Sequence, residues 1–195
     1  MYESEANGFL GKVRDMKIVG IAGSLRESSS NGTLLKIIAS IPDPEVHFEI
    51  FRGLGKLPFF SPELDDGNTS KEVAEFRAFL KNADGIIIAT PEYAFGMPGV
   101  LKNALDWTVS SGEFDKKPVA ALSASPTYGG GDKAHASLLL VLGALSARVV
   151  AKASFPIPAI YKRISKTGEV VDPAIVELLA GVLSELKAEI KSGPG

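Results

Sequence analysis

Two kinds of apolar run alternate along this chain. Residues 17–22, 84–90 and 117–123 are short and nearly unbroken in apolar character, as in Ile86-Ile87-Ile88-Ala89. That continuity predicts strands buried on both faces of a parallel sheet. Residues 46–51 alternate instead, which predicts a second strand with His47 on its surface, and residues 147–151 predict a short fifth. Between these runs the apolar spacing changes to three and four residues, most clearly at Val73, Phe76, Phe79 and Leu80. Helices are predicted over 31–40, 71–81, 98–110, 132–145 and 173–191. The first is ended by Ile41-Pro42-Asp43-Pro44, and the third opens on Pro98, where a proline is tolerated. Residues 1–15 lack any period and are expected to be a disordered extension, with Met16 as an alternative start. Residues 16–191 then form one domain, and 192–195 a tail.

Strands alternating with helices predict an α/β protein with a five-stranded parallel sheet covered on both faces, three layers in all. In the doubly wound order 2-1-3-4-5, strands one and three lie side by side where the winding reverses. Ligands bind beyond the carboxyl ends of the strands at that point. Here those ends lead into residues 23–31 and 91–97, with 123–131 next along the sheet. The long loop over 52–69 carries aromatics that border this edge or pack against the sheet, and packing is favoured. Residues 164–170 read as a small surface turn.

The turn Gly23-Ser24-Leu25-Arg26-Glu27-Ser28-Ser29-Ser30-Asn31 links the first strand to the first helix. A helix start offers unpaired backbone N–H groups and the positive end of a dipole, which together attract anions. Ser24, Ser28, Ser29 and Ser30 add hydroxyls, Asn31 an amide, and Arg26 a guanidinium suited to phosphate. The same residues also suit ordinary capping of the helix. No G-x-G-x-x-G follows the first strand and no G-x-x-x-x-G-K-[ST] occurs, so a single terminal phosphate fits better than a pyrophosphate or an NTP. In the second turn, Pro91-Glu92-Tyr93-Ala94-Phe95 offers aromatics and a proline-stiffened backbone to a flat heteroaromatic ring, or a rigid turn that enters the core. In the third, Ser123 and then Tyr128-Gly129-Gly130-Gly131 let backbone approach a ligand closely, or form a mobile turn.

Composition narrows the chemistry. A chain of 195 residues with 45% hydrophobic and 23% charged residues is ordinary for a globular domain. A net charge of −2 gives no footprint for nucleic acid or an anionic membrane. With no cysteine, disulfides, thiol nucleophiles and thiolate metal sites are excluded. The two histidines, His47 and His135, lack metal-site spacing, and both are expected at the surface. Redox chemistry would therefore need a bound organic cofactor. No apolar run is long enough to span a bilayer and no secretory leader opens the chain, so a cytoplasmic protein is expected. The matches to Asn-x-Ser/Thr at Asn31 and Asn68 then carry no glycan.

Gly23-Ser24-Leu25-Arg26 through Ser29 and Asn31, then Pro91-Glu92-Tyr93, then Pro98-Gly99-Val100-Leu101-Lys102-Asn103-Ala104-Leu105-Asp106-Trp107, resemble the NAD(P)H-dependent FMN reductases. This flavodoxin-like group includes quinone, chromate and azo-dye reductases, and the resemblance spans about residues 16–190. It implies that Ser24, Arg26, Ser29 and Asn31 hold the FMN phosphate, and that Pro91, Glu92 and Tyr93 line the ring. The 123–131 loop would lie at the ring's pyrimidine edge. It implies further that the helix from Leu101 to Trp107 joins a homodimer or homotetramer. The cofactor set adds Gly23, Ser30, Ala94, Phe95, Ser123, Tyr128, Gly129 and Gly130. Two positions depart from the family pattern. Ala94 stands where asparagine is common, and Lys133 where arginine is usual, so a bidentate contact there is lost.

The activity implied is hydride transfer from NADPH or NADH through bound FMN to a small-molecule acceptor: a quinone, metal oxyanion, azo compound or free flavin. FMN carries the chemistry, and no side chain is assigned as an obligatory acid or base. Alternatives are a flavin reductase that releases reduced FMN to a monooxygenase, a flavodoxin-type electron carrier, and a ligand-free receiver-like domain. The weak net charge argues against the carrier. The receiver is disfavoured because the first strand ends in Gly23-Ser24 rather than in acidic residues.

Overall fold

The computed structural model describes residues 15–65 and 69–193, so the extension expected over 1–15 lies, Asp15 apart, outside the described residues, as does Asn68. Strands β1 (Met16–Ala22), β2 (Val46–Phe51), β3 (Gly85–Thr90), β4 (Pro118–Ala124) and β5 (Arg148–Val149) pair in the order β2-β1-β3-β4-β5, all parallel. Helices α1 (Ser30–Ser40), α2 (Lys71–Lys81), α3 (Gly99–Asp106), α4 (Asp132–Ala144) and α5 (Ala174–Ser192) cover the two faces. Alternation along each buried strand divides its apolar residues between two cores. Ile18, Ile87, Ala120 and Leu122 pack with Leu34 and Leu35 of α1 and with Leu179, Leu183 and Leu186 of α5. Val19, Ile86, Ile88 and Ala121 pack with Phe76 of α2, Leu105 of α3 and Leu138 of α4. The continuous apolar runs follow directly, because both faces of β3 and β4 are dry.

The far edge of the sheet differs from expectation, for it carries a sixth strand, β6 (Phe155–Ile157). Both β5 and β6 pair with β4, one after the other, and a single 3-10 turn at Ala151–Ala153 separates them. That turn breaks the ladder opposite Ala121. Two side chains fill the gap. Ala121 N–H donates to Ser154 Oγ at 2.9 Å, and His135 Nε2 lies 3.2 Å from the Ala121 carbonyl oxygen. The surface placement expected for His135 is thus corrected: it is half-buried and satisfies an interrupted strand, and burial holds its pKa below the usual histidine value. Pro156 has no N–H to contribute, and it is tolerated because β6 is an edge strand.

The described part of the 52–69 loop contains 3-10 turns at Leu54–Lys56 and Pro62–Leu64. Its clamp comes from α3. Asn103 accepts from Phe60 N–H at 2.8 Å and donates to the Pro58 carbonyl at 2.9 Å, and Trp107 Nε1 donates to the same carbonyl. Phe60 meets Trp107 edge to face at 5.1 Å, so packing is the role of that aromatic, while Phe59 is exposed. α3 stops at Asp106 rather than near residue 110, where Arg77 takes the Trp107 carbonyl. At the opposite end of the sheet, Lys117 Nζ donates to the carbonyls of Leu80 and Ala83 and caps the end of α2.

Candidate functional site

The carboxyl ends of β1, β3 and β4 bring the three predicted turns to one edge. Behind β1, Ser29 N–H bonds the Arg26 carbonyl at 3.1 Å and Arg26 N–H bonds Ser24 Oγ at 3.3 Å, which folds the turn back on itself. α1 starts at Ser30, with Ser29 as its N-cap and no side-chain cap bond. Capping therefore does not explain these serines. The first intrahelical bond runs from Thr33 N–H to the Ser29 carbonyl, so the N–H groups of Ser30, Asn31 and Gly32 open the helix without helical acceptors.

Asn31 is only 2% exposed, and its Nδ2 donates to the Ala124 carbonyl at 3.0 Å. That bond ties the helix start to the end of β4. Its Oδ1 is buried with no partner, an arrangement that costs free energy unless a donor arrives from the cleft.

The second turn is a tight one. Tyr93 and Gly96 exchange both backbone hydrogen bonds, at 2.9 and 3.0 Å, and Ala94 (φ 48°) and Phe95 (φ 61°) both sit in the left-handed region. Glu92 points away toward α4, where its carboxylate accepts from the N–H groups of Lys133 at 2.9 Å and Ala134 at 3.0 Å. It stabilises that helix start through charge and hydrogen bonding together. Tyr93 Oη and Ser24 Oγ lie 3.3 Å apart and link the first two turns.

A cleft of about 630 Å³ lies between these turns, lined by Ser24, Arg26, Ser28 to Asn31, Pro91, Glu92 and Tyr93. Of the residues expected at the site, Gly23, Ala94, Phe95, Ser123, Tyr128, Gly129 and Gly130 are not part of its lining. Ser123 is fully buried and donates to the Gly130 carbonyl at 2.9 Å, shaping the third turn from beneath. Gly130 (φ +64°) passes so close to β6 that an added Cβ would stand 2.7 Å from the Ile157 carbonyl carbon. Tyr128 and Phe95 are exposed at the rim, 86% and 82%.

Sequence reasoning missed part of the lining. Ala124, Ser125 and Pro126 continue from β4 within the 123–131 stretch expected at the site, but Ile160, Tyr161, Ile164, Ser165 and Lys166 also border the cleft. Of these, Ile164, Ser165 and Lys166 belong to the stretch expected to be a small surface turn. The only signal was topological, since the segment follows the strand next to β4 and must emerge at the same sheet edge.

The order β2-β1-β3-β4-β5 defines a flavodoxin-like protein, with an uncapped helix start, hydroxyls and a guanidinium at its switch point, a combination chemically suited to an anion. The NADPH-dependent FMN reductase profile matches residues 16–162, and the chain belongs to that family. It is 30% identical over 179 residues to an NAD(P)H-dependent FMN reductase of Pseudomonas aeruginosa, covering 91% of this chain and 96% of that one. A quinone reductase of Escherichia coli is 29% identical over 173 residues, covering 87% and 92%. Among solved structures, a flavoenzyme NAD(P)H:(acceptor) oxidoreductase from Paracoccus denitrificans superposes with a TM-score of 0.80 at 24% identity. It covers 91% of this chain and 98% of its own, a likeness of fold.

The residues present fit FMN. The unpartnered Asn31 Oδ1 can accept from a hydroxyl, and the α1 N–H groups with Arg26 can take a phosphate. A flat ring can lie along Pro91 and Tyr93.

Proposed function

We propose that the cleft holds FMN with its phosphate on the N-terminus of α1 and its ring along Pro91, Glu92 and Tyr93. In this reading the protein passes hydride from NADPH or NADH to a quinone, metal-oxyanion, azo or flavin acceptor. Bound FMN supplies the hydride-accepting and hydride-donating chemistry. Ser24, Ser29, Ser30, Asn31 and Arg26 bind and orient the phosphorylated tail. The Tyr93 to Gly96 turn fixes the backbone that meets the ring, and Glu92 anchors that turn to α4, leaving its carboxylate occupied by two N–H groups. Proton exchange is left to solvent at the open mouth.

The observation that carries the proposal is a helix start with no side-chain cap, facing a cleft of about 630 Å³ beside an unpartnered buried amide oxygen. The assembly proposed is a homodimer or homotetramer. It is supported by apolar side chains exposed beside the cleft, with Leu25 61%, Tyr93 48% and Phe95 82% accessible. A cytoplasmic setting is part of the same proposal; among the described residues no helix is long and apolar enough to cross a membrane.

The test is a visible absorbance spectrum of protein mixed with FMN and passed through a desalting column. It is followed by anaerobic bleaching with NADPH or NADH and recovery on adding a benzoquinone. Retained flavin bands that bleach and recover are expected. Absence of retained flavin, with no quenching of FMN fluorescence at millimolar FMN, would remove the cleft from this role.

A further inference from the structure

We propose that Lys166, on the turn that lies against α1, is a second cationic ligand of the phosphorylated tail beside Arg26. The inference rests on the FMN reading above and adds a residue from a different part of the chain. A phosphate monoester carries about −1.5 to −2 charges near neutral pH. A helix start contributes roughly +0.5 and a guanidinium +1, so about −0.5 is left uncompensated when the phosphate is fully ionised. The cleft has one further cation among its lining residues, and that is Lys166. Neither Arg26 nor Lys166 forms an ion pair among the described residues, whereas Lys187 and Arg77 are engaged by carboxylates elsewhere. The remaining lining acid, Glu92, faces α4. Glu27 lies in the adjoining groove with Lys36.

Lys166 is exposed at the tip of a turn that is itself well fixed. Ser165 N–H donates to the Glu169 carbonyl at 2.9 Å, and Ser165 Oγ accepts from the N–H groups of Thr167 at 3.3 Å and Glu169 at 3.1 Å. The hydroxyl of Ser165 is thereby engaged within the turn, and the charge of Lys166 is left for the cleft. Gly168 (φ +88°) lets the turn lie against α1. A Cβ there would stand 3.3 Å from Thr33 Oγ1, in the first turn of that helix. Ile160 N–H bonds the Ser125 carbonyl at 3.1 Å, and Ile164 is buried, so the segment is seated from both sides. A flexible ammonium on a rigid turn beside the helix start can close on a phosphate without rearrangement of the backbone.

The experiment compares FMN with riboflavin, which lacks only the phosphate, by fluorescence titration of wild type, Lys166→Met and Lys166→Arg at low and high salt. Lys166→Met is expected to weaken FMN roughly three- to tenfold, leave riboflavin within twofold of wild type, and flatten the salt dependence. Lys166→Arg should restore FMN affinity. Unchanged FMN affinity in Lys166→Met, or equal losses for both flavins, overturns the assignment while leaving the FMN reading intact. Failure of wild type to bind FMN would overturn both.

Discussion

Individual residues divide clearly between those that face the cleft and those that build it. Arg26 is exposed, is turned into position by the bond from its own N–H to Ser24 Oγ, and lines the cleft. Arg26→Ala should remove one charge-assisted contact. Discounted for solvent, that is worth about 1.5 kcal/mol, or roughly tenfold in FMN affinity. Fluorescence titration showing an unchanged dissociation constant would take Arg26 out of the site. Ala94 shows how a departure from the family pattern acts. It stands at φ 48°, in the left-handed region, which is strained for alanine and better tolerated by asparagine, whose short polar side chain can hydrogen-bond locally. Ser24, Arg26, Ser29 and Asn31 could be read as ligands because hydroxyls, an amide and a guanidinium crowded one strand-to-helix turn. Lys166 could not, since nothing local distinguishes a cleft lysine from any other lysine in a turn.

At the scale of elements, two side chains hold parts of the chain that secondary structure alone does not. Glu92 fastens the second turn to the start of α4 through two N–H groups. Glu92→Ala should lower stability by about 0.5–2 kcal/mol, read by chemical denaturation, whereas Glu92→Gln keeps an acceptor and should lose less. His135 makes the second repair, at the gap between β5 and β6. Its pKa is lowered by burial in the folded state, so the unfolded chain takes up a proton more readily. Stability should be complete above the ordinary histidine value of 6.5 and decline as pH falls below it. Thermal unfolding between pH 7.5 and 5.5 should show that decline, and His135→Asn should flatten it; an equal slope in both proteins would exclude this histidine as its source. The interruption itself was invisible in sequence. Residues 147–151 look like one strand, yet a turn at Ala151–Ala153 follows β5, and the gap it leaves in the ladder is filled by Ser154 and by His135 from α4. The long buried strands were readable because period and burial agree there.

Across the whole molecule, sheet order, layering and the position of the cleft followed from alternation of strand and helix patterns together with the switch-point rule. Asn103 and Trp107, in the motif that carried the family resemblance, clamp the 58–60 backbone. The C-terminal helix is bound to the start of β2 by ion pairs from Lys187 to Asp43 and Glu45. The bond from Lys187 holds Asp43 below its ordinary pKa, bonds from Lys191 and then Lys187 do the same for Glu45, and the Lys187 ammonium is held above its own. FMN bound in the cleft as proposed should steady the turns that line it. At FMN concentrations one hundredfold above its dissociation constant, the folded state should gain about 2.7 kcal/mol, raising the melting temperature by roughly 5–10 °C. Differential scanning calorimetry with FMN and with riboflavin measures this directly, and an unshifted transition would mean that the folded state has no preference for the cofactor.

The stepped border of β5 and β6 bears on how such chains avoid sticking to one another. Instead of one long row of free amide groups, that side offers two stubs of two and three residues, set apart by a turn and interrupted by a proline. A stray strand from another molecule finds no continuous template there, so this rim is guarded against fibril-like growth while the chain is crowded during synthesis.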